Sequence, residues 1–296
     1  MNNAYVIETH DLTKRYGDLE AVRALNLRVP EGQITGFLGR NGAGKSTTIK
    51  MLLGMIHPTS GTGTVLGKRI DKPKESREMR CRVAYVSEDK QTYAYMTVGE
   101  MIRFTRSFYS DWNLEIEQRL LKQYQLPTRR KVRVLSKGMR TKLALLLALA
   151  RRPALLILDE PNEGLDPVSI EELLQALVSA AADGTAVFFS SHQISEVERI
   201  ADHVCIIDHG HLVMDLPLDR VREDYRCVTL GFTMQPPQVD LHIDGVEHVR
   251  TTGRQVIVLA SRNSEAVAER AKSLGAVTVD IAPISLREVF LEAVQE

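Results

Sequence analysis

Along the chain, short continuous apolar runs alternate with stretches whose apolar residues recur at helical spacing. Gln33–Leu38, Leu155–Leu158 and Thr185–Ser191 are the continuous kind. They predict strands covered on both faces, as in a parallel sheet. Tyr5-Val6-Ile7-Glu8 alternates, and Leu19–Val29 is rich in β-formers, so residues 4–38 read as strands. Further strands are expected at Thr62–Leu66, Arg82–Val86, Val204–Ile207 and His211–Met214, the last two closing the sheet. Helical spacing marks Ser46–Met55, where Ile49, Leu52 and Leu53 share a face. It also marks Val98–Ser110, Leu114–Gln125, and residues 137–151 and 168–182. The tail, residues 219–296, begins with a charged, linker-like Asp219–Asp224, and Pro236-Pro237 marks a turn. Strands at Val246–Val249, Gln255–Leu259 and Ala276–Ile281, with helices at Ser264–Leu274 and Ser285–Val294, make it a small α/β appendage.

One loop gives this pattern its chemistry. Gly39-Arg40-Asn41-Gly42-Ala43-Gly44-Lys45-Ser46, followed by Thr47, lies between a buried strand and a helix. Its glycines let the backbone curl so that several N–H groups face one anion. Lys45 reaches phosphate oxygens as a point charge, and the Ser46 hydroxyl suits Mg²⁺, a hard ion that takes oxygen donors. The phosphate then sits at a helix N-terminus, where free N–H groups and the dipole favour it.

Other candidates sit at the ends of predicted elements. Asp159 and Glu160 close the Leu155–Leu158 run, at the carboxyl end of a central strand where ligands of such sheets bind. Asp159 is placed to hold Mg²⁺, and Glu160 to polarise an attacking water as general base. Glu88 and Asp89 follow another strand, and Glu88 is a second candidate for the cation or its water. His192 follows the next strand and is a candidate γ-phosphate contact. Ser136 is a good N-cap for the helix at 137–151, and Gly138 permits close approach to that helix terminus, again an anion site. Tyr16 is either an ordinary turn aromatic or a platform for a base. Eight of the 16 aromatics lie between Tyr85 and Tyr124, which suggests an inserted helical subdomain whose own core most of them fill.

Composition narrows the classes. With 38 basic and 38 acidic residues and a pI near 7.1, the chain lacks the basic excess of a general nucleic-acid binder. Cys81, Cys205 and Cys227 fit neither a metal spacing nor a disulfide framework, so a reducing cytoplasm is expected. Met1-Asn2-Asn3-Ala4-Tyr5 lacks the character of a signal peptide, and the apolar run Leu143–Ala150 is too short to span a bilayer.

Taken together, Tyr16, Gly39–Ser46, Glu88, Leu135–Met139, Leu155–Glu160, Gly164-Leu165-Asp166 and His192 resemble, in order and spacing over residues 1–215, the ATP-binding subunit of ABC transporters. The resemblance implies an α/β fold: a P-loop NTPase core of ABC ATPase type with an antiparallel β subdomain and a helical subdomain at about 90–150. The cassette would cover residues 1–218 and the appendage 219–296. It implies a head-to-tail homodimer, or a heterodimer with a related ATPase, with two ATP molecules between the loop of one subunit and the Ser136–Met139 signature of the other. Asp166 joins the ATP-binding residues on the same ground. The partner implied is a separate integral-membrane permease docked on Glu88–Gln125, with the chain cytoplasmic on the inner face of the membrane. Three motifs depart from the pattern: Glu88 stands for the usual Gln, Lys137 and Met139 alter the signature, and Asn162-Glu163 replaces the more usual Thr/Ser-containing pair. The variant motifs, and the closing Ser285–Leu291 segment, look like the bacterial exporter branch. The competing expectation is an ABC-type ATPase acting on ribosomes or nucleic acid. It is disfavoured because the chain has one cassette, no heptad run and no Cys cluster.

Overall fold

The computed structural model describes residues 5–90, 92–236 and 243–294. Pro237 of the expected turn and the first four residues of the N-terminal segment lie outside them. The chain divides into two compact units, Met1–Asp215 and Leu216–Glu296.

The first unit opens with β1 (Tyr5–Tyr16), β2 (Leu19–Leu25) and β3 (Arg28–Pro30), followed by β4 (Ile34–Leu38) and α1 (Lys45–Leu52). Then come β5 (Ser60–Val65), β6 (Lys68–Arg69), α2 (Pro73–Arg82) and β7 (Val83–Val86). Three helices intervene before β8 (Leu155–Leu158): α3 (Val98–Arg106), α4 (Leu114–Gln123) and α5 (Lys137–Leu149). The unit continues through α6 (Pro167–Ala182), β9 (Ala186–Ser191), α7 (Ile194–Ile200), β10 (His203–Asp208) and β11 (His211–Pro217), whose last two residues begin the second unit.

Two sheets organise these elements. One runs β2-β1-β5-β6, with β3 also on β1, and every measured pairing in it is antiparallel. The other runs β11-β10-β4-β9-β8-β7, and its pairings from β10 to β7 are parallel. Every residue of β4, β8 and β9 is buried, which is why those segments read as continuous apolar runs. Phe37 of β4 and Phe188 of β9 pack with ring centroids 5.2 Å apart. Since β7 and β8 are neighbours in the sheet, α3–α5 form an insertion between adjacent strands.

Local chemistry sets the helix starts. Thr97 and Glu100 form a reciprocal capping box on α3, and Asn113 and Ser136 cap α4 and α5. Asp166 caps α6, with Pro167 in the first turn. Helices α2 and α7 were not expected from the sequence: α2 is rich in charge and α7 spans only seven residues, too few to show a period.

The second unit holds α8 (Leu218–Asp224), β12 (Arg226–Gly231), β13 (Val246–Thr252), β14 (Gln255–Ala260), α9 (Ser264–Ser273), β15 (Thr278–Pro283) and α10 (Leu286–Ala293). Its antiparallel sheet has the order β13-β14-β12-β15, over a core that includes Val228, Leu230, Val256, Val258 and Val267. The linker expected at Asp219–Asp224 is helix α8 instead. Leu218 and Val221, one turn apart, are buried, and Arg220 pairs with Asp224 at 2.8 Å across i,i+4.

Helix α7 lies so close on β4 that a Cβ at Gly36 would stand 2.2 Å from Val197 Cγ1. Gly36→Ala is expected to lower stability by about 1–3 kcal/mol through overpacking. Urea unfolding checks this, and an unchanged midpoint would contradict the packing.

Candidate functional site

The phosphate loop is held open by its surroundings. Gly44 caps α1 in the left-handed region at φ 110°, and a Cβ there would lie 2.5 Å from the Ala21 carbonyl oxygen. A Cβ at Gly39 would meet the Ile207 carbonyl oxygen at 2.6 Å. Both positions therefore exclude any side chain, one sterically and the other on conformation as well. Lys45 is buried, and its Nζ donates to the carbonyls of Gly39 at 2.7 Å and Arg40 at 3.2 Å.

The acids at the end of β8 meet this loop. Ser46 Oγ donates to Asp159 Oδ1 at 3.1 Å, and Lys45 Nζ lies 3.1 Å from Glu160 Oε1. His192 Nδ1, at the end of β9, is 2.8 Å from Glu160 Oε2. Glu160 takes a left-handed backbone conformation, φ 45°, which a side chain other than glycine adopts only when its neighbours impose it. Ser190 imposes it here: its Oγ accepts the Glu160 N–H at 2.9 Å and donates to Asp159 Oδ1 at 2.8 Å. One buried hydroxyl thus orients both acids. The sequence reading missed Ser190, whose only signal was a polar residue inside a buried strand.

A cavity of about 520 Å³ opens over this group. From the candidate set, Tyr16, Asn41, Gly42, Gly44, Lys45, Ser46, Thr47, Glu88, Glu160 and His192 line it. Gly39, Arg40 and Ala43 shape the loop without lining the cavity, and Asp159 reaches it through Ser46. The Tyr16 ring is half exposed at the rim, with Lys14 Nζ 5.1 Å from its centroid.

Ser136, Gly138 and Asp166 are not among the lining residues; they form a second group. Ser136 Oγ accepts the Met139 N–H at 3.2 Å, and Asp166 accepts from the Val168 and Ser169 N–H groups and from Ser169 Oγ. Those bonds, the Ser169 hydroxyl foremost, hold the Asp166 carboxyl below its ordinary range. A Cβ at Gly138 would lie 2.6 Å from Ser169 Oγ, so the close approach that this glycine permits is made by α6 of its own chain.

The expectation that most of the clustered aromatics fill a helical core does not hold. Tyr93, Tyr95, Phe104 and Phe108 are exposed and contact one another with centroids 5.0–5.8 Å apart, while Tyr124 is buried.

Glu163, also missed, lines the cavity beside Glu88. Hydrogen bonding to Glu163, then burial and the charge of Glu163, push the Glu88 carboxyl above its ordinary value of 4.5. The folded chain therefore holds that proton more tightly than the unfolded one. The contact is harmless in acid and destabilising as pH rises through and above 4.5. Glu88→Gln is expected to match the parent's urea midpoint in acid and to exceed it increasingly toward neutral pH. A difference independent of pH would contradict this pairing.

A phosphate loop at the end of a buried parallel strand, with acids on the next strand ends, defines a phosphate-loop nucleotide hydrolase. A family model described as ABC transporter matches residues 22–163. The bacitracin transport ATP-binding protein BcrA of Bacillus licheniformis is 40% identical over 224 residues, 75% of this chain and 72% of that protein. The Nod factor export ATP-binding protein I of Neorhizobium galegae is 31% identical over 96% of this chain and 84% of its own length. A solved structure described as the ATP-binding subunit of an ABC transporter superposes with a TM-score of 0.67 at 30% identity, covering 73% of this chain and 92% of that one. The chain belongs to the ABC transporter family as an ATP-binding ATPase subunit. No helix among the described residues is long and apolar enough to cross a membrane.

Proposed function

We propose that two copies of this chain close head-to-tail around two ATP molecules and that hydrolysis drives export through a separate permease. The observation that carries this reading is the division of the ATP-binding candidates into two groups. The loop, Asp159, Glu160 and His192 surround one cavity, while Ser136, Gly138 and Asp166 lie together elsewhere. A second copy supplies the missing group at each cavity.

Each residue has a role in this scheme. Tyr16 stacks on the base, and loop N–H groups and Lys45 hold the β- and γ-phosphates. Ser46, Asp159 and Glu88 offer only oxygen donors, the set a hard divalent cation takes, and Mg²⁺ bound there neutralises phosphate charge. Glu160 accepts the proton of the attacking water, and His192 holds Glu160 in place and contacts the γ-phosphate. The relatives' names speak of bacitracin transport and Nod factor export, which supports the export direction.

Glu160→Gln is expected to bind ATP, remain dimeric by light scattering and lose hydrolysis by about 10²-fold or more. Near-parental turnover would remove Glu160 as base, and a monomer with ATP bound would remove the dimer. Lys45→Ala is expected to lose ATP binding.

The exposed Tyr93–Tyr95–Phe104–Phe108 cluster is the face we assign to the permease, since aromatics are enriched at interfaces. Tagged Glu160→Gln, purified from detergent-solubilised membranes of its native cell, is expected to bring down a multi-span protein, and Phe108→Ser to lose it. Ribosomal or nucleic-acid partners in its place would overturn the transporter assignment.

A further inference from the structure

Behind the acids at the end of β8 lies a buried pair that the scheme above leaves unused. Asn162 is in the turn that follows Glu160 and is 2% exposed. Glu196 is in the first turn of α7, just beyond His192, and is 5% exposed. Asn162 Nδ2 donates to Glu196 Oε2 at 2.5 Å. Helix α7 is the fixed side of this contact, because Val197, the next residue, is pressed against Gly36 of β4. The turn after Glu160 is the side that the contact holds.

The other oxygen of each group has nothing to bond. Asn162 Oδ1 and Glu196 Oε1 are both buried without a hydrogen-bond partner among the described residues. Buried polar atoms are almost always bonded. An amide oxygen and an ionised carboxylate only accept, so these two cannot satisfy each other while Glu196 is charged. One proton on Glu196 supplies the missing donor.

The surroundings favour that proton. Arg199, on α7 itself, gives Nη2 to Glu171 of α6 at 2.6 Å, and His192 Nδ1 is engaged by Glu160 Oε2. Burial foremost pushes the Glu196 carboxyl above its ordinary value of 4.5. The charge of Glu160 adds to this, while Asn162, His192 and Arg199 oppose it.

We propose that Glu196 is protonated at neutral pH and forms with Asn162 a doubly hydrogen-bonded acid–amide pair that positions Glu160 against His192. Asn162 Nδ2 donates to Oε2, and Oε1–H donates to Asn162 Oδ1. The pair ties the turn after Glu160 to the helix after His192, and so backs the direct contact between those two side chains. Neither member lines the nucleotide cavity, so both are positioning residues that act through Glu160. The positioning role rests on Glu160 being the base, as proposed above.

Infrared spectroscopy of the full chain at neutral pH reads the pair directly. The difference between the parent and Glu196→Gln is expected to show the carbonyl band of a protonated carboxyl; Glu88 is common to both and cancels. Its absence overturns the proposal. Turnover reads the positioning. Glutamine reproduces both bonds, its Nε2 donating where Oε1–H did, so Glu196→Gln is expected to keep kcat within about twofold of the parent. Asn162→Ala and Glu196→Ala are expected to lower kcat by about tenfold or more with KM for ATP little changed. Melting curves check folding, and Glu196→Leu, closer in volume, replaces either that does not fold. Parental kcat in the alanine variants, or an equal loss in Glu196→Gln, overturns the positioning role. Near-parental turnover by Glu160→Gln would instead remove the base while leaving the infrared band in place, so the two failures are told apart.

Discussion

The contact between Lys45 and Glu160 is what the candidate site depends on. An ammonium and a carboxylate, both nearly inaccessible to water, stand 3.1 Å apart. Taking two such charges out of water costs several kcal/mol per ion, so the pair holds only because the surroundings complete it. Two loop carbonyls take up the remaining donors of Lys45, and His192 takes the second oxygen of Glu160. Removing one member leaves the other buried and uncompensated. The phosphate loop, the end of β8 and the end of β9 are therefore one electrostatic unit.

The sequence showed this unit in outline. Lys45, Ser46, Asp159, Glu160 and His192 were legible because each sits at the end of a run whose period announces a buried strand or a helix. Ser190 was not, because its role lies in which two acids its hydroxyl reaches, and that is fixed only once β8 and β9 pair. Glu163 was hidden for the same reason: its partner Glu88 is distant in sequence and near only through the fold. Helix α8 was misread because five charged residues mask the two apolar ones that anchor it.

The departures from the family pattern acquire local company in the structure. Glu88 shares a proton-holding contact with Glu163. A Cβ at Gly164 would stand 2.6 Å from Lys137 Nζ, so the lysine of the signature lies over the loop that follows the β8 acids in its own chain. Asn162 donates to the buried Glu196 at 2.5 Å, which joins that loop to α7 just beyond His192. Glu88 and Glu163 therefore meet each other, a departure against a departure, while Lys137 and Asn162 lie against positions beside the site that do not depart from the pattern.

The crowding around the phosphate loop has a kinetic meaning. Gly39 is pressed against the Ile207 carbonyl and Gly44 against that of Ala21, from two different sheets. The curl that aims the N–H groups inward is thus settled when the sheets assemble. Conformational entropy that a free loop would surrender to each arriving nucleotide is surrendered once, during folding. In the proposed role, the loop would meet a nucleotide with this curl already set by the two sheets.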